Sequence, residues 1–212
     1  MQKTKIDWAD YTWNPVVGCK HGCPYCYAER INRRFQLIPN WKKPKFFHSR
    51  LYDPDKVKKP SKIFVGSMCD LFGKWVPKEW IMSVINTCEG NPHHTFMFLT
   101  KNPQRYSEFE FPKNCWLGAT LTGEPSCKDW PNDLKRDVMG NLYGLKNKTF
   151  ISIEPLLGPF YGHLYTYVDL VIVGAMTGAN AVKPKKEWID SIKHPNIFYK
   201  DNIKKYLPEN TG

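Results

Sequence analysis

The sequence has no apolar run of 18 residues, and its first ten residues, MQKTKIDWAD, contain no apolar core. The first absence excludes an ordinary membrane-spanning helix, so we expect no membrane partner. The second argues against a secretory leader, so we expect a cytoplasmic protein with reduced cysteines. Low-complexity tracts and internal repeats are also absent. With 212 residues, of which 42% are hydrophobic, the chain is predicted to fold as a single domain over residues 1–212.

Acidic residues are few relative to basic ones. The chain has 20 Asp and Glu against 31 Lys and Arg, which gives a formal net charge of +11. Such an excess favours a polyanionic partner, either nucleic acid or a nucleotide-like substrate. A lysine-rich surface without any such partner has the same balance, so charge alone leaves both interpretations open.

The seven cysteines are unevenly distributed. Cys19, Cys23 and Cys26 fall within eight residues, with the spacing C-x3-C-x2-C, and the other four are scattered singly. In a reducing compartment, clustered cysteines are more often metal ligands than disulfide partners. Three thiolates leave one iron of a 4Fe-4S cluster open, whereas a structural zinc site needs a fourth ligand, for which His21 and His48 are candidates. The spacing favours the cluster and leaves zinc as the alternative.

Short apolar segments alternate with helical patterns along most of the chain. Near-continuous apolar strands are typical of parallel sheets that are buried on both faces. Their alternation with helices predicts an α/β fold, either an open doubly wound sheet or a barrel. The predicted strands are residues 12–17, 62–67, 95–99, 115–121, 149–153, 169–173 and 196–199. The predicted helices are residues 26–35, 77–88, 133–145 and 185–192.

Three segments carry more specific expectations. The helix at 26–35 places Tyr27, Ile31 and Phe35 on one stripe. Residues 37–60 contain several prolines and two lysine clusters, and they are predicted to form an irregular basic surface insertion. Residues 102–112 are expected to hold a short helix at best.

Small, polar or chemically active residues follow each predicted strand. In open α/β sheets and in barrels, chemistry lies at the carboxyl ends of the strands. We therefore expect these residues to share one active edge: 18–26, 67–70, 100–101, 120–122, 152–154 and 174–178.

The cysteine motif, with Tyr25 before its last cysteine, resembles the signature of the radical S-adenosylmethionine (SAM) superfamily. Further blocks, which together span residues 8–202, are similar to one subfamily of phage-encoded and prokaryotic proteins of unassigned activity. They are Trp-Asn-Pro at 13–15, Cys-Tyr-Ala-Glu-Arg at 26–30, Ser-Met-Cys-Asp-Leu-Phe at 67–72, Leu-Thr-Lys at 99–101, Trp-Leu-Gly at 116–118, Glu-Pro-Leu-Leu-Gly-Pro at 154–159 and Val-Ile-Val-Gly at 171–174. Many members of the subfamily have a longer spacer between the first two cysteines.

The resemblance implies a fold, a cofactor and a chemistry. The fold is a partial (β/α)6 TIM-type barrel of parallel strands. Cys19, Cys23 and Cys26 would hold a 4Fe-4S cluster whose open iron binds SAM. One electron would then cleave SAM to methionine and a 5′-deoxyadenosyl radical, which removes hydrogen from a substrate carbon.

The resemblance also suggests residues that contact SAM. Ser67 and Asp70 resemble a Ser/Thr-x-x-Asp block of the spore photoproduct lyase-like members, where this region holds the amino group of the cofactor. Lys101 resembles a lysine that pairs with the cofactor carboxylate. The other expected contacts are Tyr25, Thr120, Ser152 and Gly174. Plainer roles stay open: Asp70 could cap a helix, and Lys101 could be a solvated surface lysine.

Two further residues are candidates for catalysis. Glu154 ends a strand and could position substrate or act as a general base, or it could simply pair with a nearby Lys or Arg. Cys69 could supply a thiol to radical chemistry, or it could be a small buried apolar residue.

The favoured function is therefore a radical SAM enzyme acting on a nucleic-acid base or nucleoside, in modification or repair. The resemblance implies a flavodoxin- or ferredoxin-like reductant, and a partner protein could complete the site. The alternative is a zinc-stabilised nucleic-acid-binding module without catalysis.

Overall fold

The computed structural model describes residues 1–122, 140–160, 168–178 and 180–207. The chain forms two compact units, Met1–Leu117 and Gly118–Gly212. Cys127 and most of the predicted helix at 133–145 lie outside the described residues. That the whole chain is one domain stays a prediction.

The strands of the first unit are, in chain order, β1 (Gln2–Lys3), β2 (Tyr11–Trp13), β3 (Val16–Val17), β4 (Lys45–Phe46), β5 (Lys62–Val65), β6 (Thr95–Thr100) and the start of β7 (Cys115–Leu121). Strand β2 runs parallel to β5, and β5 runs parallel to β6, while β1 pairs antiparallel with β2. Successive residues of β5 and β6 are buried, as expected for strands covered on both faces: Ile63, Phe64, Val65, Phe96, Met97 and Phe98. The carboxyl ends of β2, β5 and β6 therefore form one edge.

Two helices cover this unit. Helix α2 (Lys78–Gly90) buries Ile81, Val84, Ile85 and Cys88, whose spacing places them on one face. Helix α1 (Tyr27–Phe35) is different, since it buries only Ala28 and Asn32. In the described ranges, no helix combines the length and the hydropathy that crossing a membrane requires.

The segment at 37–60 is largely irregular, as predicted. It contains β4 and two 3-10 helices, His48–Tyr52 and Pro54–Lys56. It is more than a surface excursion, because Ile38, Trp41 and Phe46 are buried and β4 pairs antiparallel with β3. The segment at 102–112 likewise holds only a 3-10 helix, Pro103–Glu108.

The second unit contains the end of β7, β8 (Thr149–Ile153), β9 (Leu170–Val173) and β10 (Ile197–Tyr199), with the short helices α3 (Lys186–Asp190) and α4 (Asp201–Lys204). Strands β8, β9 and β10 are parallel neighbours. All five residues of β8 are buried. Together, the two sets of parallel strands confirm the α/β class that the apolar runs predict.

Candidate active site

The three clustered cysteines lie on one loop between β3 and α1. Its first residue, Gly18, has a φ of 110° and forms a parallel bridge to Cys69. The Gly18 amide donates to the Met68 carbonyl at 3.0 Å, and the Cys19 amide donates to the Trp41 carbonyl at 3.0 Å. The segment after β5 and the segment at 37–60 thus both fasten the start of the loop.

Cys26 ends the loop and begins α1. Its Sγ accepts a hydrogen bond from the Glu29 amide at 3.3 Å, which makes Cys26 the N-cap of the helix. A cap satisfies one of the amides that the first turn of any helix leaves without an intrahelical partner. The last cysteine of the motif therefore has a fixed position relative to α1.

The three thiols are partly buried, and burial together with the charges of two of them raises the pKa of the third. Burial raises the pKa of Cys19 to about 12, and the charges of Asp70, Cys23 and Cys26 add to the rise. Cys19 and Cys26 pack against a small core of Val17, Ala28, Ile38, Trp41 and Met68. Within the described ranges, no group of three or more His, Cys, Asp or Glu side chains is arranged to hold a metal ion.

Asp70 is the centre of a hydrogen-bond network at the ends of β5 and β6. His21 donates from Nε2 to Asp70 Oδ2 at 2.7 Å, and the Lys101 amide donates to the same oxygen at 2.9 Å. Thr100 Oγ1 donates to Oδ1 at 2.6 Å, as does the Phe72 amide at 3.1 Å. Burial raises the pKa of Asp70, but these donors and the charge of His21 outweigh it, so the pKa lies below its ordinary value.

Lys101 also contacts the cysteine loop. Its Nζ donates to the Tyr25 hydroxyl at 2.8 Å and lies 5.1 Å from the centre of the Tyr25 ring. Tyr25, Asp70 and Lys101, three of the residues expected to bind the cofactor, are therefore brought together beside the thiols. His21 and Thr100 join them, although the sequence did not mark His21 for this role.

Ser67 lies next to the same loop in a polar cluster of its own. Asn14 donates from Nδ2 to Ser67 Oγ at 3.0 Å and accepts from the Met68 amide at 2.9 Å. The Tyr27 hydroxyl donates to the Ser67 carbonyl at 2.8 Å, which ties the first residue of α1 to the end of β5. Asn14 was not singled out from the sequence, although it belongs to the Trp-Asn-Pro block at 13–15, which could have identified it.

Cys69 lies two residues after Ser67, and its bridge to Gly18 places it beside the start of the loop. Its Sγ would be 3.1 Å from a Cβ placed on Gly66. Burial raises the pKa of the Cys69 thiol well above its ordinary value, and the charges of Asp70 and Cys19 add to this. The thiol is therefore protonated at neutral pH.

In the second unit, Glu154 forms an ion pair. Lys200 Nζ lies 2.5 Å from Glu154 Oε1, and the two side chains are 14% and 30% exposed. A Cβ on Gly174 would lie 2.9 Å from Glu154 Cδ and 3.0 Å from Lys200 Cδ, so glycine leaves room for the pair. Glu154 therefore makes the contact expected of its structural role, an ion pair with a nearby Lys or Arg. Asn202 bonds both the amide and the carbonyl of Ala175 beside them.

Ser152 and Thr120, two other predicted contacts in this unit, lie inside strands and not after their ends. Ser152 lies inside β8 and is 1% exposed. Thr120 lies inside β7 and is half-buried. Their roles as cofactor contacts stay predictions.

Solved structures share this fold. Spore photoproduct lyase complexed with dinucleoside spore photoproduct superposes with a TM-score of 0.56 at 11% identity, covering 82% of this chain and 58% of that chain. A doubly substituted mutant with bound AdoMet and dinucleoside spore photoproduct gives a TM-score of 0.53 at 14% identity, covering 76% and 49%. The chain therefore spans about half the length of the proteins it matches. These likenesses confirm the predicted fold class, an α/β fold of the partial TIM-type barrel.

No curated protein matches the chain. A family model described as "Protein of unknown function (DUF5131)" matches residues 3–198, which is nearly the whole sequence. The chain therefore belongs to this family.

Proposed function

We propose that this protein is a radical SAM enzyme that acts on a nucleic-acid base or nucleoside. One observation carries the proposal: the loop of Cys19, Cys23 and Cys26 is fastened to the carboxyl ends of β5 and β6 through Asp70 and Lys101. Chemistry is expected at this edge of a parallel α/β fold. The fold shared with spore photoproduct lyase supports the same assignment.

The donors fit a 4Fe-4S cluster in kind and in number. Cys19, Cys23 and Cys26 would hold it, and three thiolates leave one iron for another ligand. The pKa of about 12 at Cys19 means that loading releases a proton. Because no group of three or more His, Cys, Asp or Glu side chains among the described residues is arranged to hold a metal ion, loading must also bring the three sulfur atoms together. When bound, the cluster would supply the electron that converts SAM to methionine and a 5′-deoxyadenosyl radical.

The residues beside the loop would bind and orient SAM. Lys101 Nζ already donates to Tyr25, so it can turn toward a carboxylate without leaving the loop. Asp70 is buried with four donors and would hold the loop in place, with Ser67 anchored by Asn14 beside it. In the second unit we assign cofactor contacts to Thr120, Ser152 and Gly174.

Cys69 and Glu154 would act on the substrate. The protonated Cys69 thiol can give a hydrogen atom to a carbon radical, and in doing so it becomes a thiyl radical. Glu154, paired with Lys200, would accept hydrogen bonds from the substrate and hold its orientation.

The net charge of +11 supports a nucleic-acid or nucleoside substrate. The same class of ligand is bound in the solved structures, which hold dinucleoside spore photoproduct. We place the protein in the cytoplasm with a flavodoxin- or ferredoxin-like reductant, because the proposed chemistry consumes electrons. A partner protein completing the site remains part of this proposal.

Anaerobic reconstitution with iron and sulfide tests the proposal. We expect a brown protein that forms 5′-deoxyadenosine from SAM when dithionite is added. The Cys23→Ala variant should lose both the colour and the product. Cys88→Ala is the matched control, since Cys88 is a buried cysteine on α2 and should leave both unchanged.

Metal analysis of the same samples decides between this proposal and the zinc-stabilised alternative. One zinc per chain, with no iron or sulfide and no product, would refute the enzymatic proposal. Binding assays with DNA and RNA at increasing salt test the substrate class, because phosphate contacts weaken steeply with salt.

A further inference from the structure

Helix α1 exposes an apolar stripe where a helix of a globular protein normally buries one. Tyr27, Ile31 and Phe35 are 45%, 36% and 61% exposed, and Leu37 beyond the helix end is 42% exposed. The helix packs against the first unit through Ala28 and Asn32, which lie about 100° around the helix from Tyr27 and Ile31. We call these four exposed residues the α1 stripe.

Positive charge surrounds the α1 stripe. Residues 20–47 contain seven Lys and Arg and a single acid, Glu29, so more than half of the net charge of +11 lies in this segment. Glu29 pairs with Arg33 at 2.9 Å, and the Arg34 guanidinium lies 5.2 Å from the centre of the Phe35 ring. A separate groove of about 550 Å³ beside the helix is lined by Glu29, Arg33 and Lys42, among others, and does not include the α1 stripe.

The α1 stripe begins at the cysteine loop. Tyr27 directly follows Cys26, and its hydroxyl donates to Ser67 at the end of β5. Electron transfer falls off steeply with distance, so a protein that delivers electrons to this loop must dock next to it. The α1 stripe combines three properties that such a docking site needs: its residues are apolar, arginines lie next to them in the helix, and it is adjacent to the thiols.

We propose that the α1 stripe is the docking surface for a small acidic electron-carrier protein. This inference rests on the proposed function. An apolar centre with an arginine-rich rim is typical of protein interfaces, and the rim would attract and orient an acidic partner. Single-stranded nucleic acid is the competing occupant, because Tyr27 and Phe35 offer rings on which bases can stack. The aliphatic Ile31 between them and Leu37 beyond the helix end suit a protein partner better. In each docking event the carrier would give up one electron, which the cluster held by Cys19, Cys23 and Cys26 would accept.

Two substitutions that introduce an acid test the docking surface, with acidic flavodoxin as the probe. Ile31→Glu and Arg34→Glu should each weaken flavodoxin binding about tenfold, by placing an acid where the acidic partner docks. The matched controls are Met82→Glu, at a 41% exposed apolar position on α2, and Lys59→Glu, at an exposed lysine of the 37–60 segment. The controls should bind flavodoxin as the wild type does.

Turnover separates the two proposals. With reduced flavodoxin as donor, 5′-deoxyadenosine formation by Ile31→Glu and Arg34→Glu should fall about tenfold at low donor concentration, in line with the weaker binding. With dithionite, which needs no docking surface, all four variants should match the wild type. A wild type that forms no product even with dithionite refutes the proposed function, and the electron-carrier role with it.

Two outcomes refute the docking surface alone. One is a wild type that turns over with dithionite and binds flavodoxin as tightly as Ile31→Glu and Arg34→Glu do. The other is a loss of single-stranded DNA binding in these variants while flavodoxin binding is unchanged, which would assign the surface to nucleic acid.

Discussion

His21 donates a hydrogen bond from Nε2 to Asp70 Oδ2 at 2.7 Å, across 49 residues of sequence. His21 lies inside the cysteine motif, whereas Asp70 follows β5 and is 6% exposed. The bond therefore fastens the middle of the cysteine loop to the sheet edge.

The His21→Ala variant should loosen the loop before any metal is bound. Removing a hydrogen bond to a buried carboxylate costs about 2 kcal/mol of the free energy of unfolding. We expect denaturant unfolding to show a loss of this order. Alkylation of Cys19, Cys23 and Cys26 by iodoacetamide, followed by mass spectrometry, should become several-fold faster.

Lys20→Ala is the control for His21→Ala, because Lys20 is an exposed neighbour on the same loop. Its unfolding and alkylation should match the wild type. Equal alkylation rates in His21→Ala and the wild type would show that the bond to Asp70 does not hold the loop.

Gly18→Ala should disrupt the loop at its first residue. The φ of 110° strains any other residue, and a Cβ would lie 2.8 Å from the Trp41 carbonyl oxygen and 2.9 Å from Pro44 Cα. Strain and overpacking together should destabilise the first unit by about 3 kcal/mol. Thermal unfolding measures the loss.

Gly90→Ala is the control, since nothing lies within 4 Å of the Cβ that it adds at the end of α2. It should be neutral or stabilise by about 0.5 kcal/mol. If Gly18→Ala unfolds at the same temperature as Gly90→Ala, then Trp41 and Pro44 do not pack against Gly18 as closely as the structure has them.

Lys200→Met should destabilise the second unit. It leaves the half-buried Glu154 carboxylate without the ammonium group that contacts it, at an expected loss of about 1–2 kcal/mol in the free energy of unfolding. Adding Glu154→Gln should recover part of the loss, because the uncompensated charge is removed. Denaturant unfolding of the two single variants and the double variant measures this coupling.

Lys204→Met is the matched control for Lys200→Met. Lys204 pairs with Asp201, and both side chains are more than half exposed. Exposed ion pairs of this kind contribute below about 0.5 kcal/mol, so this variant should unfold as the wild type does. A similar loss from both lysines would contradict a special role for the Glu154 pair.

His94 should make stability depend on pH. It is 1% exposed, its Nε2 lies 3.3 Å from the Pro54 carbonyl, and no described residue hydrogen-bonds its Nδ1. Burial lowers the pKa of His94 below its ordinary value of 6.5, and the charge of His93 adds to this. The unfolded chain thus binds a proton that the folded protein does not, so stability should fall as the pH drops through 6.5 and level off below the folded-state pKa.

Denaturant unfolding between pH 8 and pH 5 measures this dependence. His94→Phe keeps a ring but cannot take up a proton, so its stability should change less over this range. His48→Phe, at an exposed histidine, should keep the wild-type slope. An unchanged slope in His94→Phe would assign the dependence to other groups.

The strands were the most predictable part of the fold. Those at 115–121 and 149–153 have the predicted bounds, and four others differ by one or two residues at an end. The single strand predicted at 12–17 was wrong, because this stretch divides into β2 and β3, which pair with different strands. The reason is physical: a strand buried on both faces must be apolar throughout, which leaves a continuous run in the sequence. Strands β1 and β4 leave no such run, because each has only two residues and one exposed edge.

The candidate site was predictable in its residue types and not in its contacts. Tyr25, Asp70 and Lys101 do lie together, as their places after the strands indicated. Spacing could not show that His21 would bond Asp70, or that Trp41 would fasten Cys19, since each contact joins distant parts of the chain. Helical spacing likewise identified the stripe of α1 but could not show that it faces outward, because periodicity does not say which side the core takes.

Cys26 Sγ has two tasks if the proposed cluster forms: it would bind iron and would still receive the Glu29 amide at the start of α1. Replacing it with alanine would remove a ligand and unwind the first turn together, so that variant mixes two losses. Serine keeps an oxygen for the amide and gives up only the thiolate. A comparison of Cys26→Ser with Cys26→Ala therefore separates the contribution of this sulfur to holding metal from its contribution to starting the helix.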